Sequence, residues 1–207
     1  MLQFTNYRKS YGNTEIITIP DLKLEHGIYW LKGTNGSGKT TLIRSIAGLI
    51  PFDGNIQITG TDIKQNRIAY TSVVNYTEAE PVYPGFLTGN DLTAFYKESK
   101  NAPSGQLEVL SNKLGIAAYS SNKTATYSSG MTKKLSLVLG FLGNPKLILL
   151  DEPLITLDTL SVAILQQMIS EHYEAGVTFI ITSHQEIHIN SAAVQQLEIR
   201  NKTLQCA

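Results

Sequence analysis

Gly33-Thr34-Asn35-Gly36-Ser37-Gly38-Lys39-Thr40 is the stretch on which the fold of this chain turns. It matches G-x-x-x-x-G-K-[ST], a loop that cradles phosphate groups when it joins a strand to a helix. Both neighbours fit. Residues 28–31 form a short β-rich run, and residues 40–49 place Leu42, Ile43, Ile46 and Leu49 on one helical face, closed by Pro51 and Gly54. The glycines let the backbone curl so that successive N–H groups face phosphate oxygens, and the helix adds the positive end of its dipole. Lys39 supplies a cation to the β- and γ-phosphates, and the Thr40 hydroxyl suits magnesium. Gly33, Thr34, Asn35, Gly36, Ser37, Gly38, Lys39, Thr40 and Thr41 are therefore the candidate ATP-binding residues. Chance would produce the pattern in roughly one chain of this length per hundred, so further signals are needed.

The second signal is Lys146-Leu147-Ile148-Leu149-Leu150-Asp151-Glu152, an apolar run that ends in two carboxylates. Many strands end at a solvated charge, and alone this one carries no function. Beside a phosphate-binding loop it becomes a Walker B arrangement. Asp151 can hold the magnesium shell, and Glu152 is placed to accept a proton from attacking water. Nucleotide kinases and most GTPases do not need that second acid, so the pair favours hydrolysis.

Outward from these motifs, short β-rich runs at residues 2–7, 15–19, 56–59 and 67–75 are punctuated by Gly12-Asn13, Pro20-Asp21 and Gly27. Helical patterns occupy 92–99, 106–114, 131–142 and 161–173, and a second apolar run spans 177–182. Short apolar strands alternating with amphipathic helices predict a parallel sheet covered on both faces. The helix-rich middle reads as an insertion into that α/β core. Seventeen basic residues balance seventeen acidic ones, so no basic field advertises nucleic acid. The apolar runs fall short of the ~18 residues a membrane span needs, so a membrane link must run through a partner. Met1 to Thr5 lack the pattern of a secretory leader, and Cys206, the single cysteine, fits a reducing compartment.

Taken in order, these features resemble the ABC ATPase family over nearly the whole chain. Tyr127-Ser128-Ser129-Gly130-Met131 stands where that family carries its L-S-G-G-Q signature, just before a helix that leads to the Walker B strand. Thr156-Leu157-Asp158 resembles the family's D-loop, His184 its switch histidine, and Tyr11 the aromatic residue that stacks on adenine. The resemblance implies an α/β P-loop NTPase core with a parallel sheet, an antiparallel β subdomain and a helical subdomain inserted at about 78–142, all in one domain, 1–207. It assigns catalysis to Glu152 and His184, magnesium to Thr40 and Asp151, and contacts with a second protomer's ATP to Ser128, Ser129, Gly130 and Asp158. Each of these has a plainer alternative. Ser128 and Asp158 are good helix caps, and His184 alone reads as an ordinary histidine at a strand end.

Two departures stand out. An ungapped match places Glu78 where the family has a magnesium-contacting glutamine, with Asn75 as the alternative position. The signature carries Tyr127, Ser129 and Met131 in place of leucine, glycine and glutamine, a form that resembles ABC exporters of the two-component type. The expected assembly is an ATP-dependent homodimer, or a pseudo-symmetric heterodimer, on the cytoplasmic face of a separate transmembrane permease subunit. No nucleic acid is expected. The short chain is similar in size to the ATPase of haem-export and cytochrome c maturation systems, and its end after Glu198-Ile199-Arg200 leaves no room for a regulatory domain. An ABC-type ATPase outside transport, for example in iron–sulfur cluster assembly, stays open as an alternative. So does a nucleotide-dependent binding protein with little hydrolysis.

Overall fold

The computed structural model of the protein describes residues 1–185, 188–189 and 192–206. The chain begins with β1 (Leu2–Tyr11), β2 (Thr14–Leu24) and β3 (Ile28–Lys32), followed by α1 (Lys39–Ile46). Next come β4 (Asp53–Ile58), β5 (Thr61–Asp62), α2 (Arg67–Val73) and β6 (Val74–Thr77). Three helices follow before the sheet resumes: α3 (Gly89–Ser99), α4 (Gln106–Leu114) and α5 (Ser129–Phe141). The last elements are β7 (Leu147–Asp151), α6 (Thr159–Glu174), β8 (Thr178–Thr182), β9 (Val194–Arg200) and β10 (Thr203–Cys206).

These strands form one sheet, in the order β5-β4-β1-β2-β10-β9-β3-β8-β7-β6. From β9 to β6 every neighbouring pair is parallel. The other end is antiparallel, with β1 between β2 and β4 and β5 at the edge. β10 stitches the halves together, antiparallel to β9 and parallel to β2 through Thr203 and Thr18.

β7 shows why the centre of the sheet is apolar on both sides. Leu147 and Leu149 pack into one core with Ile43 and Ile46 of α1, whereas Ile148 and Leu150 pack into the other with Leu135 of α5 and Leu165 of α6. Successive residues of a strand face opposite ways, so a strand covered on both faces has no polar position to spare. Each such side chain, wholly buried, contributes about 1.5–3 kcal/mol. The register then aligns three strand ends: Leu31 of β3 and Asp151 of β7 both pair with Thr182 of β8.

The expected strand at 67–75 is corrected. Residues 67–73 are the helix α2, and only Val74 onward is strand. The β-branched run read as extended, but Asn66 caps the helix by accepting from the Ala69 N–H at 3.1 Å. Tyr70, fully buried, donates to the Ile46 carbonyl at 2.7 Å, and Arg67 donates to that of Gly48 at 2.6 Å. Pro20 does not end a strand either. β2 runs on to Leu24 in unbroken register, with the pairs Tyr7–Ile19 and Thr5–Asp21 on either side of a left-handed Asn6 (φ 49°). Beyond Thr18 its far edge has no partner strand among the described residues, so the missing proline N–H costs no ladder bond.

Burial pushes the Tyr7 phenol up to about 12 and that of Tyr70 further in the same direction. An unfolded tyrosine ionises near pH 10, so above that pH the unfolded chain carries charge that the fold excludes. Stability is therefore full below pH 10 and falls as pH rises toward 12. Tyr7→Phe loses the 2.9 Å bond to Ser45 Oγ, at a cost of ~1 kcal/mol at neutral pH. Urea titrations at pH 8, 10 and 11 are expected to show a shallower decline for this variant than for the wild type.

Candidate functional site

The loop from Gly33 to Gly38 depends on its glycines. Gly33, Gly36 and Gly38 have φ of 152°, 79° and 105°, a region that side-chain-bearing residues rarely enter. At Gly33 space is also closed: a Cβ would lie 2.4 Å from Ser37 Oγ. That hydroxyl is buried without a partner among the described residues. Lys39 Nζ folds back over the loop, donating to the carbonyls of Gly33 at 2.8 Å and Thr34 at 3.1 Å. Helix α1 begins here with no acidic residue in its first turn, so its N-terminal dipole is uncompensated.

Opposite stand the two carboxylates. Asp151 is 2 % exposed, and its Oδ1 accepts from the Thr182 hydroxyl at 2.6 Å. Glu152 adopts a left-handed backbone (φ 44°), its N–H donates to Thr182 Oγ1 at 2.9 Å, and its Oε1 lies 3.5 Å from His184 Nε2. The His184 backbone N–H donates to Glu152 Oε2 at 3.3 Å. One residue earlier, the Ser183 carbonyl accepts from the Trp30 indole N–H at 3.0 Å. Lys32 Nζ lies 3.9 Å over the Trp30 ring.

A cavity of about 350 Å³ joins these parts. Asn35, Gly36, Gly38, Lys39, Thr40 and Thr41 line one side, and Asp151, Glu152 and His184 the other. Its size is that of a small-molecule site. Thr34 and Ser37 line an adjoining cavity behind the loop. Tyr11 stands at the tip of the β1–β2 hairpin, half exposed beneath Lys9 Nζ at 4.5 Å. It is outside the lining, to which the same hairpin contributes Ile16.

The signature segment is elsewhere. Ser128 caps α5 by accepting from the Met131 N–H at 3.2 Å, and Ser129 and Gly130 form the first turn. Gly130 faces the Thr156 carbonyl so closely that a Cβ would sit 3.1 Å from it. Asp158 caps α6 through Ser161 and also accepts from Lys134 Nζ at 2.9 Å. Lys134, together with the Ser161 bonds, holds the Asp158 carboxyl well below the usual carboxylate range.

Glu78 stands apart from the other candidates. It does not line the cavity; its neighbour Ala79 does. The Glu78 carboxylate lies 3.8 Å from Arg44 Nη2 and lines a separate groove with Tyr76 and Tyr83. Asn75 is not at the site either. Its side-chain amide is buried, donating to the carbonyls of Gly140 and Leu142.

Two residues to which the sequence reading gives no site role belong to this region, although Lys133, with Lys134, is there a basic residue following the signature. One is Thr182. The other is Lys133, 1 % exposed, whose ammonium donates to the Glu78 and Ala79 carbonyls at 2.9 Å each and reaches that of Asp151 at 3.4 Å. Burial pushes this ammonium down to about 8. A signal was present: Lys133 shares the buried face of α5 with Leu137 and Gly140, where a lysine needs partners.

The family model described as ABC transporter matches residues 20–155. The chain is 30 % identical to YybJ, an uncharacterized ABC transporter ATP-binding protein of Bacillus subtilis, covering 99 % of this chain and 95 % of that one. It is 32 % identical to the cytochrome c biogenesis ATP-binding export protein CcmA of Nitrosospira multiformis, over 91 % and 93 %. To the linearmycin resistance ATP-binding protein LnrL of B. subtilis it is 31 % identical, over 89 % of this chain and 61 % of that one. A solved ATP-binding subunit of an ABC transporter superimposes with a TM-score of 0.90 at 22 % identity, over 99 % of this chain and 88 % of that one, a likeness of fold. A nucleotide-sized cavity walled by a phosphate-binding loop and paired carboxylates defines an ATPase of the P-loop class. Within that class, the chain belongs to the ABC transporter family.

With Glu78 turned toward Arg44, Glu78→Gln is expected to leave the magnesium dependence of hydrolysis unchanged. ATPase rate measured against free magnesium decides this. A direct metal contact would shift the curve, because unit charges about 4 Å apart interact by ~4 kcal/mol at an effective dielectric near 20.

Proposed function

We propose that this chain is the ATP-hydrolysing subunit of a membrane transporter, working as an ATP-dependent head-to-tail dimer that drives a separate membrane-spanning subunit. One observation carries the reading. The chain's own cavity gathers the phosphate-binding loop, Asp151, Glu152 and His184, while Ser128, Ser129 and Gly130 lie outside it. Two copies related by a twofold axis would bring each signature segment to the other's ATP, giving two composite sites.

In each site Lys39 and the loop N–H groups neutralise phosphate charge. Thr40 and Asp151 would hold magnesium, which when bound would screen the phosphate charge. The donor set fits that ion. Magnesium takes one or two carboxylates together with substrate phosphates and waters rather than an all-protein cage. Among the described residues no group of three or more His, Cys, Asp or Glu forms such a cage. Glu152 accepts the proton of the attacking water, and His184 faces the γ-phosphate from the same wall. Asp158 reaches the second protomer only with the residues around it, since its carboxylate already caps α6. Tyr11 offers an exposed ring toward the adenine side.

The groove of about 450 Å³ beside Glu78, Val82 and Tyr83 is the docking place for the membrane subunit. Support comes from exposed apolar residues of this segment: Val82, in the lining, is 87 % exposed, and Phe86, four residues on, is 74 % exposed. Tyr83 and Leu87 instead pack against the helical core, and Tyr83 also lines the groove. Among the described residues no helix is long and apolar enough to cross a membrane, which supports a separate subunit for that task. The export and resistance roles printed for the CcmA and LnrL relatives support outward transport.

Glu152→Gln is expected to bind ATP with unchanged affinity and to lose turnover by about a hundredfold or more. With ATP and magnesium it should elute as a stable dimer on size exclusion. Normal turnover would remove Glu152 as the base. Ser128→Arg places a bulky cation at the shared boundary and leaves the chain's own loop untouched. Binding of a fluorescent ATP analogue by the monomer should survive while dimerisation and hydrolysis are lost. Equal loss of monomer binding would make the segment purely structural.

A further inference from the structure

The end of β8 holds a fully buried hydroxyl between the two residues on which the proposed hydrolysis depends, and the role assigned to it rests on that hydrolytic reading. In β8 the run Phe179-Ile180-Ile181 is apolar and buried, and threonines close it at either end. Thr178 makes its contact away from the site, 3.3 Å from His26 Nδ1. Thr182 makes both of its contacts inside the site. A hydroxyl has one proton to give and lone pairs to accept with. The Thr182 proton goes to Asp151 Oδ1 at 2.6 Å, and its oxygen accepts the Glu152 N–H at 2.9 Å.

We infer that Thr182 is a positioning residue: one hydroxyl that orients the Asp151 carboxylate and fixes the backbone from which Glu152 projects. Three observations converge. Thr182 is 0 % exposed, so its rotor has no water as an alternative partner. The bond to Asp151 has the short length of a charge-assisted contact and is the only side-chain hydrogen bond that carboxylate makes among the described residues. Its orientation is thus set by one group, and Oδ2 has no protein donor among the described residues. Finally, Glu152 sits at φ 44°, a left-handed conformation that is unfavourable for a residue with a Cβ and must be held by its surroundings. The Thr182 oxygen holds the N–H of that residue, while the Glu152 side chain turns to His184. The sheet makes this arrangement possible, since Asp151 and Thr182 are paired across the β7–β8 ladder.

The test uses Thr182→Val, which keeps shape and removes the hydroxyl, and Thr182→Ser, which keeps the hydroxyl and removes the methyl. Three quantities are measured on the full chain: ATP affinity in EDTA, Mn2+ affinity of the ATP complex by electron paramagnetic resonance, and turnover against free magnesium. In the valine variant we expect unchanged affinity in EDTA, with Mn2+ affinity and turnover each reduced about tenfold to a hundredfold, as for other partners of metal-holding carboxylates. The serine variant should restore both. Should the valine chain not fold, as judged by circular dichroism, Thr182→Cys is put through the same measurements with the same expectation. A folded valine or cysteine variant with wild-type Mn2+ affinity overturns the assignment. So does a folded serine variant as impaired as valine, because the methyl would then be the part that matters. A wild-type chain that binds ATP and never turns it over would instead defeat the hydrolytic reading, leaving Thr182 to be judged on Mn2+ affinity alone.

Discussion

The parallel register across β3, β8 and β7 is the constraint on which the rest of the molecule depends. It places Leu31, Thr182 and Asp151 on one rung, so the loop after β3 and the carboxylates after β7 emerge side by side. A slip of one residue would reverse every side chain on the shifted strand. Leu147 and Leu149 would exchange cores with Ile148 and Leu150, and Asp151 would turn its carboxylate away from the cavity. The two apolar layers therefore specify the chemistry indirectly. They reject any register in which the strand ends do not meet.

Around that rung the polar groups lock one another in place. Lys133 ties α5 to the Glu78–Ala79 segment and to the end of β7 through carbonyls alone, an arrangement that uses all three ammonium protons. Lys134, next along the helix, points outward to Asp158 and joins α5 to the cap of α6. Adjacent lysines thus serve opposite faces of one helix. Hydrogen bonds from this one helix reach both the end of the carboxylate-bearing strand and the cap of α6.

Much of this was legible in the residues. The spacing of Gly33, Gly38, Lys39 and Thr40, the apolar run into Asp151-Glu152, and His184 after a second apolar run identified three strand ends and one ligand class, because each pattern has a local physical cause. The extended reading of 67–75 failed because β-branched residues suit both states. Tertiary contacts decided it, through the buried Tyr70 and the Arg67 bond to Gly48. Glu78 lies outside the cavity lining for another reason. Its position along the chain was close, since Ala79 lines the cavity, but which way a side chain points from an irregular segment is not written in spacing. β9 and β10 gave weak signals, as short strands that mix buried and exposed positions do. Thr182 and Lys133 were assigned no role at the site because threonine is at home in strands and lysine in helices; only burial reveals that each is occupied.

Trp30 has a consequence of its own. It is the sole tryptophan of the chain, and its indole N–H is held by the carbonyl of Ser183, the residue before His184. Indole emission responds to hydrogen bonding and to nearby charge, and here the charge is the Lys32 ammonium over the ring. The molecule thus carries its own optical gauge, one bond from the segment that lines the cavity at His184. Changes in that segment can be followed in real time by ultraviolet fluorescence, with no dye attached and no residue replaced.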